Sequence, residues 1–484
     1  MAYSLKSIAK GSILYTSGQV LTKASAFLLI PLYTRFLSPD DYGIVGYLQF
    51  MLQILSTIFM FGFHSAQTRF FYQHKNEPNV VGEYLFTINL WLICVLVPGV
   101  LLAVFWGQHL YRTIGPEDIP FHPYLPIIAW TILFQVMNQL VISYWVARKE
   151  YLKTTLLQLL LFALTTGFAI LLVVELKMGA EGKVKAMLYG QAVFFILAYL
   201  PYARNFIFRV RWQYLAFSLS FGVPIVIHLL SGVMHSSIDR AILADMVSVA
   251  ELGLYTLGYQ VGMVMAIVTT SVNKAWQPSY YEVMESKDPK KDHHVRRTYN
   301  LWLIIMSIIC TVGVLWGGDV LKLITPDNFH GATIVIPYVM LGYFFHGLYY
   351  FAVSPIFFYK KTIMLPWFTG SAAAVNIGLN LLLIPHLGIK GAALATTISM
   401  LFQTIIVYIF GRKLHDHKLD IFATAIISLV MAATFIIPLF SVSLYTYHII
   451  KFANIAILTI FIYVFFKNDI KELKLHTITG FCSR

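Results

Sequence analysis

Charge is scarce in this chain, and acidic charge inside its apolar stretches is scarcer still. Asp, Glu, Lys and Arg make up 12% of its 484 residues, against 58% for hydrophobic side chains. A soluble protein carries about a quarter charged residues, so a soluble fold is excluded and the chain reads as an all-α polytopic membrane protein. Cysteine is nearly absent: Cys94 and Cys310 fall within apolar runs and Cys482 in the tail, which supplies no disulfide framework. No G-x-x-x-x-G-K-[ST] stretch occurs, so the chain does not bind ATP in the P-loop manner. The segments between apolar runs are short, the longest lying around Tyr281–Arg297, and leave no room for a soluble domain. Short outer segments also argue against a membrane-embedded sugar polymerase or ligase, which needs an ordered outer segment for its chemistry. No catalytic constellation emerges, no cofactor is implied, and the chain does not read as an enzyme. His293-His294 falls in a charged loop without ligand spacing to a Cys or carboxylate pair, so no metal site is expected.

What is present is a series of apolar runs of about 20 residues, the length that crosses a bilayer as a helix. They number about fourteen: 11–34, 41–66, 84–106, 123–147, 154–175, 184–203, 215–238, 250–276, 299–318, 331–358, 363–385, 390–411, 421–441 and 448–466. Lys6 and Lys10 precede a first run longer than a signal-peptide core, which reads as a retained span. The net charge of +13 could suggest a nucleic-acid partner, but its distribution does not. With both termini inside, about 24 of the Lys and Arg residues fall in cytoplasmic segments and about 9 outside, the positive-inside pattern. The basic charge is therefore mostly topogenic, the partner is the bilayer, and the expected location is a bacterial inner membrane.

The chain repeats itself. Leu37-Ser38-Pro39-Asp40-Asp41-Tyr42-Gly43 enters the second span, and Val247-Ser248-Val249-Ala250-Glu251-Leu252-Gly253 enters the eighth, about 210 residues later. Gly179-x-x-Gly182-x-x-x-Ala186 and Gly388-x-x-Gly391-x-x-x-Ala395 match at an offset of about 209. Six spans separate the copies, so the halves point the same way, as in the parallel repeats of some secondary transporters, whose substrate site lies between halves near the midplane. The expected division is 1–213 as an N-terminal lobe, 214–414 as a C-terminal lobe, and 415–484 as two further spans and a cytoplasmic tail.

Every Asp and Glu falls in a loop or at a span end, with Glu83, Glu175 and Asp239 nearest the membrane. A carrier of organic cations or metal ions wants a buried carboxylate. Instead Lys23 sits near the centre of the first span, where a charge costs ~2.5–3.5 kcal/mol on the translocon scale and lies beyond the reach of snorkelling. Lys274 lies toward the inner end of span eight and Arg69 closes span two. A cavity lined this way favours an anion; the competing reading is that Arg69 and Lys274 snorkel or face a helix C-terminus. Pro224, His228, Ser231, His235 and Asp239 recur at steps of three or four on span seven, one face of a helix. Pro224 frees a carbonyl and suits a hinge, and His228 and His235 could couple to protons or act as glue between helices. Uncharged polar groups cluster at Gln49 and Gln53, at Gln135, Asn138 and Gln139, at Thr270, Asn273 and Gln277, and at Asn376 and Asn380. Span ten is aromatic, with Tyr338, Tyr343, Phe344, Phe345, His346, Tyr349 and Tyr350. Amides and aromatic faces suit a sugar, and they equally suit membrane packing.

Arg35-Phe36-Leu37-Ser38-Pro39-Asp40-Asp41-Tyr42-Gly43, then Gly62 and Ala66-x-x-Arg69, resembles the opening of the polysaccharide transporter family, the Wzx-type lipid-linked oligosaccharide flippases of the MATE-like flippase and exporter superfamily. The second half agrees in Asp239-Arg240-x-x-Leu243, Gly253-Leu254-Tyr255, Pro278 and Asn380 through Ile384-Pro385-x-x-Gly388-Ile389-x-Gly391-Ala392-Ala393. The resemblance implies two six-helix lobes around a central cavity that alternates between inward- and outward-open states. It implies export of an undecaprenyl-diphosphate-linked repeat unit for O-antigen, lipopolysaccharide or capsule, handed to polymerase and chain-length machinery. Basic residues of the first, second and eighth helices line the cavity in lipid-flippase relatives, and Lys23, Arg69 and Lys274 occupy those helices here, with Gln53 and Asn273 beside them. His228, His235, Asp239 and Pro224 are the candidates for coupling or gating. The alternative is a MATE-like small-molecule antiporter; such exporters often carry acids in the cavity, and this chain has none at depth.

Lys23→Ala is expected to abolish glycan export at normal protein levels while Lys23→Arg retains part of it. Export at the wild-type rate in Lys23→Ala, measured against immunoblotted protein, would make the residue structural.

Overall fold

A computed structural model describes residues 27–433, 449 and 451–467. Among the described residues the chain is helical with no strand, as hydrocarbon demands: a spanning segment must satisfy its own backbone donors and acceptors. In chain order the helices are α1 (Ile30–Phe36), α2 (Pro39–Phe59), α3 (Phe63–Gln73), α4 (Pro78–Phe105), α5 (Gly107–Ile114), α6 (Tyr124–Ala147), α7 (Tyr151–Ala169), α8 (Gly179–Ala203), α9 (Trp212–Ser237), α10 (Asp239–Met246), α11 (Val249–Gly262), α12 (Val264–Glu285), α13 (Lys291–Ile324), α14 (Ile336–Phe358), α15 (Leu365–Leu414) and α16 (Ile421–Ala433). A further helical segment covers 451–467.

Ten helical segments among the described residues are long and apolar enough to cross a membrane, and the protein is a multi-pass membrane protein. The first expected span, with Lys23, lies mostly outside the described residues, and the last two are described only in part. α15 is 50 residues long, about 75 Å at 1.5 Å per residue, more than twice the roughly 30 Å hydrocarbon core. Gly388, with φ 53° and ψ −137°, breaks its helical backbone between the runs expected at 363–385 and 390–411. The second expected span, 41–66, is interrupted: α2 ends at Phe59, and Phe61 and Gly62 take positive φ of 50° and 69° before α3 begins. The segment expected as a loop around Tyr281–Arg297 is largely helical, because α12 runs on to Glu285 and α13 starts at Lys291. His293 and His294 therefore stand on the first turn of α13.

Packing divides the chain into two compact units. The first runs to Leu257 and includes Ile324–Phe329 and Asn380–Ile389; the second takes Gly258–Leu323, His330–Leu379 and the residues from Lys390 onward.

In the first unit both copies of the repeat form the same helix start. Ser38 and Asp41 make a reciprocal capping box at α2, the Asp41 N–H donating to Ser38 Oγ at 3.1 Å and the Ser38 N–H to Asp41 Oδ2 at 2.9 Å. Ser248 and Glu251 do likewise at α11, each at 3.3 Å. The other oxygen of Asp41 accepts the Ala180 N–H at 2.8 Å and so fixes the start of α8. The two repeated helix starts also touch each other. A Cβ added at Gly43 would stand 2.0 Å from the Val249 carbonyl oxygen, and one at Gly253 would stand 1.8 Å from that of Pro39. Under the repeat, Pro39 corresponds to Val249 and Gly43 to Gly253, so the contact is reciprocal, as across an internal two-fold. Gly46 abuts its own counterpart, Thr256. The second pair of matched motifs agrees in backbone too: Gly179 has φ 57° and Gly388 φ 53°, a region glycine enters without strain.

The second unit holds most of the aromatic span. α14 is the most enclosed of the candidate spans, with 83% of its apolar window buried. Tyr343, Phe344 and Phe345 lie in that core, so these three rings serve internal packing, one of the two readings the aromatic run allows. Asn376 is buried as well, its Nδ2 donating to Ser399 Oγ at 3.2 Å and Thr396 Oγ1 at 3.4 Å. One basic residue within a span went unremarked in the sequence: Lys451 is fully buried and pairs with Asp319, with its ammonium 5.5 Å from the Trp316 ring centroid.

Gly253→Val is expected to displace the Pro39 backbone and to reduce the monodisperse fraction of detergent-solubilised protein severalfold, read by size-exclusion chromatography. Val at Gly370, where nothing stands within 4 Å of an added Cβ, should leave it unchanged.

Candidate functional site

The expected site residues are distributed over both units. Gln53, Arg69, Pro224, His228, His235 and Asp239 belong to the first, and Asn273 and Lys274 to the second. Lys23 lies outside the described residues.

In the first unit α9 runs along the interrupted pair α2 and α3. Gly222 permits the closest approach: a Cβ there would stand 2.1 Å from the Phe61 carbonyl oxygen, and one at Gly62 would stand 2.4 Å from the Gly222 carbonyl oxygen. The interruption at 60–62 is thus seated on α9 two residues before Pro224. On one side of this contact Ser218 pairs with Tyr84 Oη at 2.8 Å. Arg69, exposed on α3, holds its guanidinium over the Phe221 ring, 4.6 Å from the centroid, a cation–π arrangement. Among the described residues no carboxylate pairs with Arg69, so its N–H donors remain available. On the other side Ser237 Oγ donates to Gln53 Oε1 at 3.3 Å.

The polar stripe of α9 is not uniform. Pro224 and His228 are exposed, the Ser231 hydroxyl returns to the Ile227 carbonyl at 2.8 Å, and His235 is buried. Asp239, the first residue of α10, is 1% exposed. It accepts from the Arg240 N–H at 2.8 Å, from Arg240 Nη1 at 3.0 Å and from the Tyr255 hydroxyl. Asp239, Arg240 and Tyr255, drawn from the motifs Asp239-Arg240 and Gly253-Leu254-Tyr255, therefore form one cluster around a buried carboxylate, and the acid enters it as an ion pair. Further along α10, desolvation raises the Asp245 carboxyl above the usual carboxylate range.

A larger buried polar network went unremarked in the sequence. Gln67 Nε2 donates to the Leu140 carbonyl at 2.9 Å and to Ser143 Oγ at 2.8 Å. Its Oε1 accepts from Tyr202, whose hydroxyl accepts from Asn89 Nδ2, and Asn89 Oδ1 accepts from Tyr199. Gln67 lies between Ala66 and Arg69, so that motif carries one residue facing inward for structure and one facing outward. In the second unit Lys274 is exposed on α12 and Asn273 is half-buried beside it.

A family profile described as "Polysaccharide biosynthesis protein" matches residues 8–284. "Lsg locus putative protein 1" of Haemophilus influenzae is 24% identical over 412 residues, covering 80% of this chain and 95% of that protein. "Probable flippase AglR" of Haloferax volcanii is 27% identical over 187 residues, 36% of this chain and 37% of that protein. Among solved structures the chain resembles the lipid II flippase MurJ in an inward closed conformation, with a TM-score of 0.73 at 14% identity over 96% of this chain and 99% of that one. An inward-facing multidrug resistance MATE family transporter gives 0.67 at 14% identity over 82% and 99%. These likenesses show a fold of the MurJ and MATE kind.

Removing one partner of a buried ion pair costs about 3–5 kcal/mol because the other is left uncompensated. Asp239→Ala is therefore expected to lower the thermal midpoint of the purified protein strongly, and Asp239→Ala with Arg240→Met to recover part of the loss. Equal destabilisation by the single and double variants would show that the pair is not coupled.

Proposed function

Because the chain belongs to the polysaccharide biosynthesis protein family, we propose that it is a flippase that moves a lipid-linked oligosaccharide, carried on undecaprenyl diphosphate, from the inner to the outer leaflet. The observation that carries this reading is Arg69: an exposed guanidinium backed by the Phe221 ring and, among the described residues, paired with no carboxylate. A guanidinium presents N–H donors in a fork that matches phosphate oxygens. Lys23 and Lys274 complete the diphosphate site, and Gln53 and Asn273 supply neutral hydrogen bonds at its edge. The prenyl tail stays in lipid while two six-helix lobes, 1–213 and 214–414, alternate in access around the cationic cavity, and 415–484 is an appendage. The bilayer is the bacterial inner membrane with both termini in the cytoplasm, and the glycan, an O-antigen or capsule repeat unit, passes to a polymerase. The likeness to a lipid II flippase and to a relative named as a probable flippase supports the same substrate class.

The transport step needs no covalent chemistry. An inside-negative potential favours outward movement of an anion by ~2.3 kcal/mol per charge per 100 mV, and His228 and His235 are the groups for proton coupling if the potential is not the driver. The buried Asp239 is the observation on the side of the antiporter reading, since a buried carboxylate is what a cation carrier wants. Its pairing with Arg240 and Tyr255 weighs against that reading, because the carboxylate is already neutralised.

Arg69→Ala is expected to lower glycan export roughly tenfold or more, equivalent to about 1.4 kcal/mol, with lipid-linked repeat units accumulating in the cytoplasmic leaflet. Arg69→Lys should retain an intermediate rate. Unchanged export in Arg69→Ala, measured in a strain lacking the native chain, would remove Arg69 from the substrate path.

A further inference from the structure

Three residues from two segments distant in sequence converge in the second unit, outside the stripe and cavity residues discussed above. Asp292 stands on the first turn of α13, and His415 and His417 follow the end of α15. Asp292 Oδ1 lies 2.7 Å from His415 Nε2 and 2.8 Å from His417 Nδ1. One nitrogen of each imidazole and the carboxylate oxygen fall within 4.8 Å of one another. The remaining nitrogen of each ring meets a tyrosine hydroxyl: His415 Nδ1 lies 3.1 Å from Tyr359 Oη, and His417 Nε2 lies 2.8 Å from Tyr280 Oη. His417 and Tyr280 are buried.

We propose that Asp292, His415 and His417 bind a divalent transition-metal ion of the zinc class. Two imidazoles and one carboxylate suit zinc, whereas calcium and magnesium take oxygen ligands. Ligating imidazoles characteristically have the far nitrogen held by an outer partner that sets which nitrogen faces the metal, and Tyr359 and Tyr280 stand in those positions. A tyrosine hydroxyl both donates and accepts. It can therefore serve the rings with the metal bound, when each far nitrogen carries the proton, and without it, when the protons lie toward Asp292. The other nearby acids are committed elsewhere: Asp420 takes a two-pronged contact from Arg296 at 2.7 and 2.9 Å, and Asp288 lies 3.1 Å from His294 Nε2. Three protein ligands leave a fourth tetrahedral position for water or an anion. The ion ties the start of α13 to the chain that leaves α15, a link across more than 120 residues. This assignment stands independently of the transport reading.

The test uses the full chain, purified in detergent without a histidine tag. Zinc chloride at micromolar concentration is expected to raise the thermal midpoint by several degrees, reversibly with chelator and not with magnesium chloride, and elemental analysis should find about one zinc per chain. The His415→Ala and His417→Ala double variant, and Asp292→Asn separately, should lose both effects. Where a variant does not fold, diethyl pyrocarbonate labelling of the unaltered chain decides: zinc should protect His415 and His417 and leave exposed His293 and His294 reactive. Absence of zinc retention and of a thermal shift, an undiminished zinc effect in the folded variants, or failure of zinc to protect His415 and His417 would each overturn the proposal.

Discussion

The structure depends on a place where two backbones touch. At Gly43 and Gly253 the helices α2 and α11 approach so closely that either missing Cβ would fall within 2.0 Å of the partner's carbonyl oxygen. In lipid no solvent drives helices together, and close packing over small residues supplies much of the attraction. That contact requires both helices to begin at a set level, and the paired capping boxes provide it, Ser38 with Asp41 and Ser248 with Glu251. Asp41 then extends the constraint to α8 through Ala180. One sequence pattern, used twice, thus specifies where a helix starts and what it leans on.

The polar groups follow a division of labour that the bilayer enforces. A hydrogen bond left unmade in hydrocarbon costs several kcal/mol, so Gln67, Tyr202, Asn89 and Tyr199 are joined in one chain of donors and acceptors. Asp239 meets the same demand with Arg240 and Tyr255. Arg69 remains exposed, and among the described residues no carboxylate holds it, which leaves its guanidinium able to meet a ligand. Positions two residues apart can take opposite parts, as Gln67 and Arg69 do on the same short helix.

Much of this was legible in the chain. The apolar runs predicted the membrane class, and the glycines at 43, 253, 179 and 388 marked the repeat, to which the structure adds close backbone approach at the first two and a positive φ at the last two. What was not legible has a common cause. Residues that face lipid and residues that face the protein core are equally apolar, so the aromatic run of α14 gives no periodic signal of its burial. Lys451 and Asp319 pair across 132 residues, and a span edge drawn at 318 hid the acid by one position. His415 and His417 gave no signal in the sequence, because their carboxylate partner lies 123 and 125 residues away, and only the return of the chain past α13 joins them. The interruption of the second span was signalled by Gly62 but masked by the apolar residues on both sides.

That interruption has a mechanical consequence. The residues from Met60 to Gly62, between α2 and α3, lie against Gly222, two positions before Pro224 on α9. Proline removes one ladder hydrogen bond and pushes a carbonyl aside, and the positive-φ pair at 61 and 62 breaks the ladder on the neighbouring segment at the same level. Two adjacent columns therefore share one storey without full bracing. Flexing there gives up fewer hydrogen bonds than flexing at any uninterrupted turn of either column, so compliance is concentrated in one layer. Arg69 and its backing ring at Phe221 belong to opposite columns next to that layer. Tilting one column against the other would change the spacing between the cation and its aromatic support, and with it the direction in which the guanidinium fork is presented.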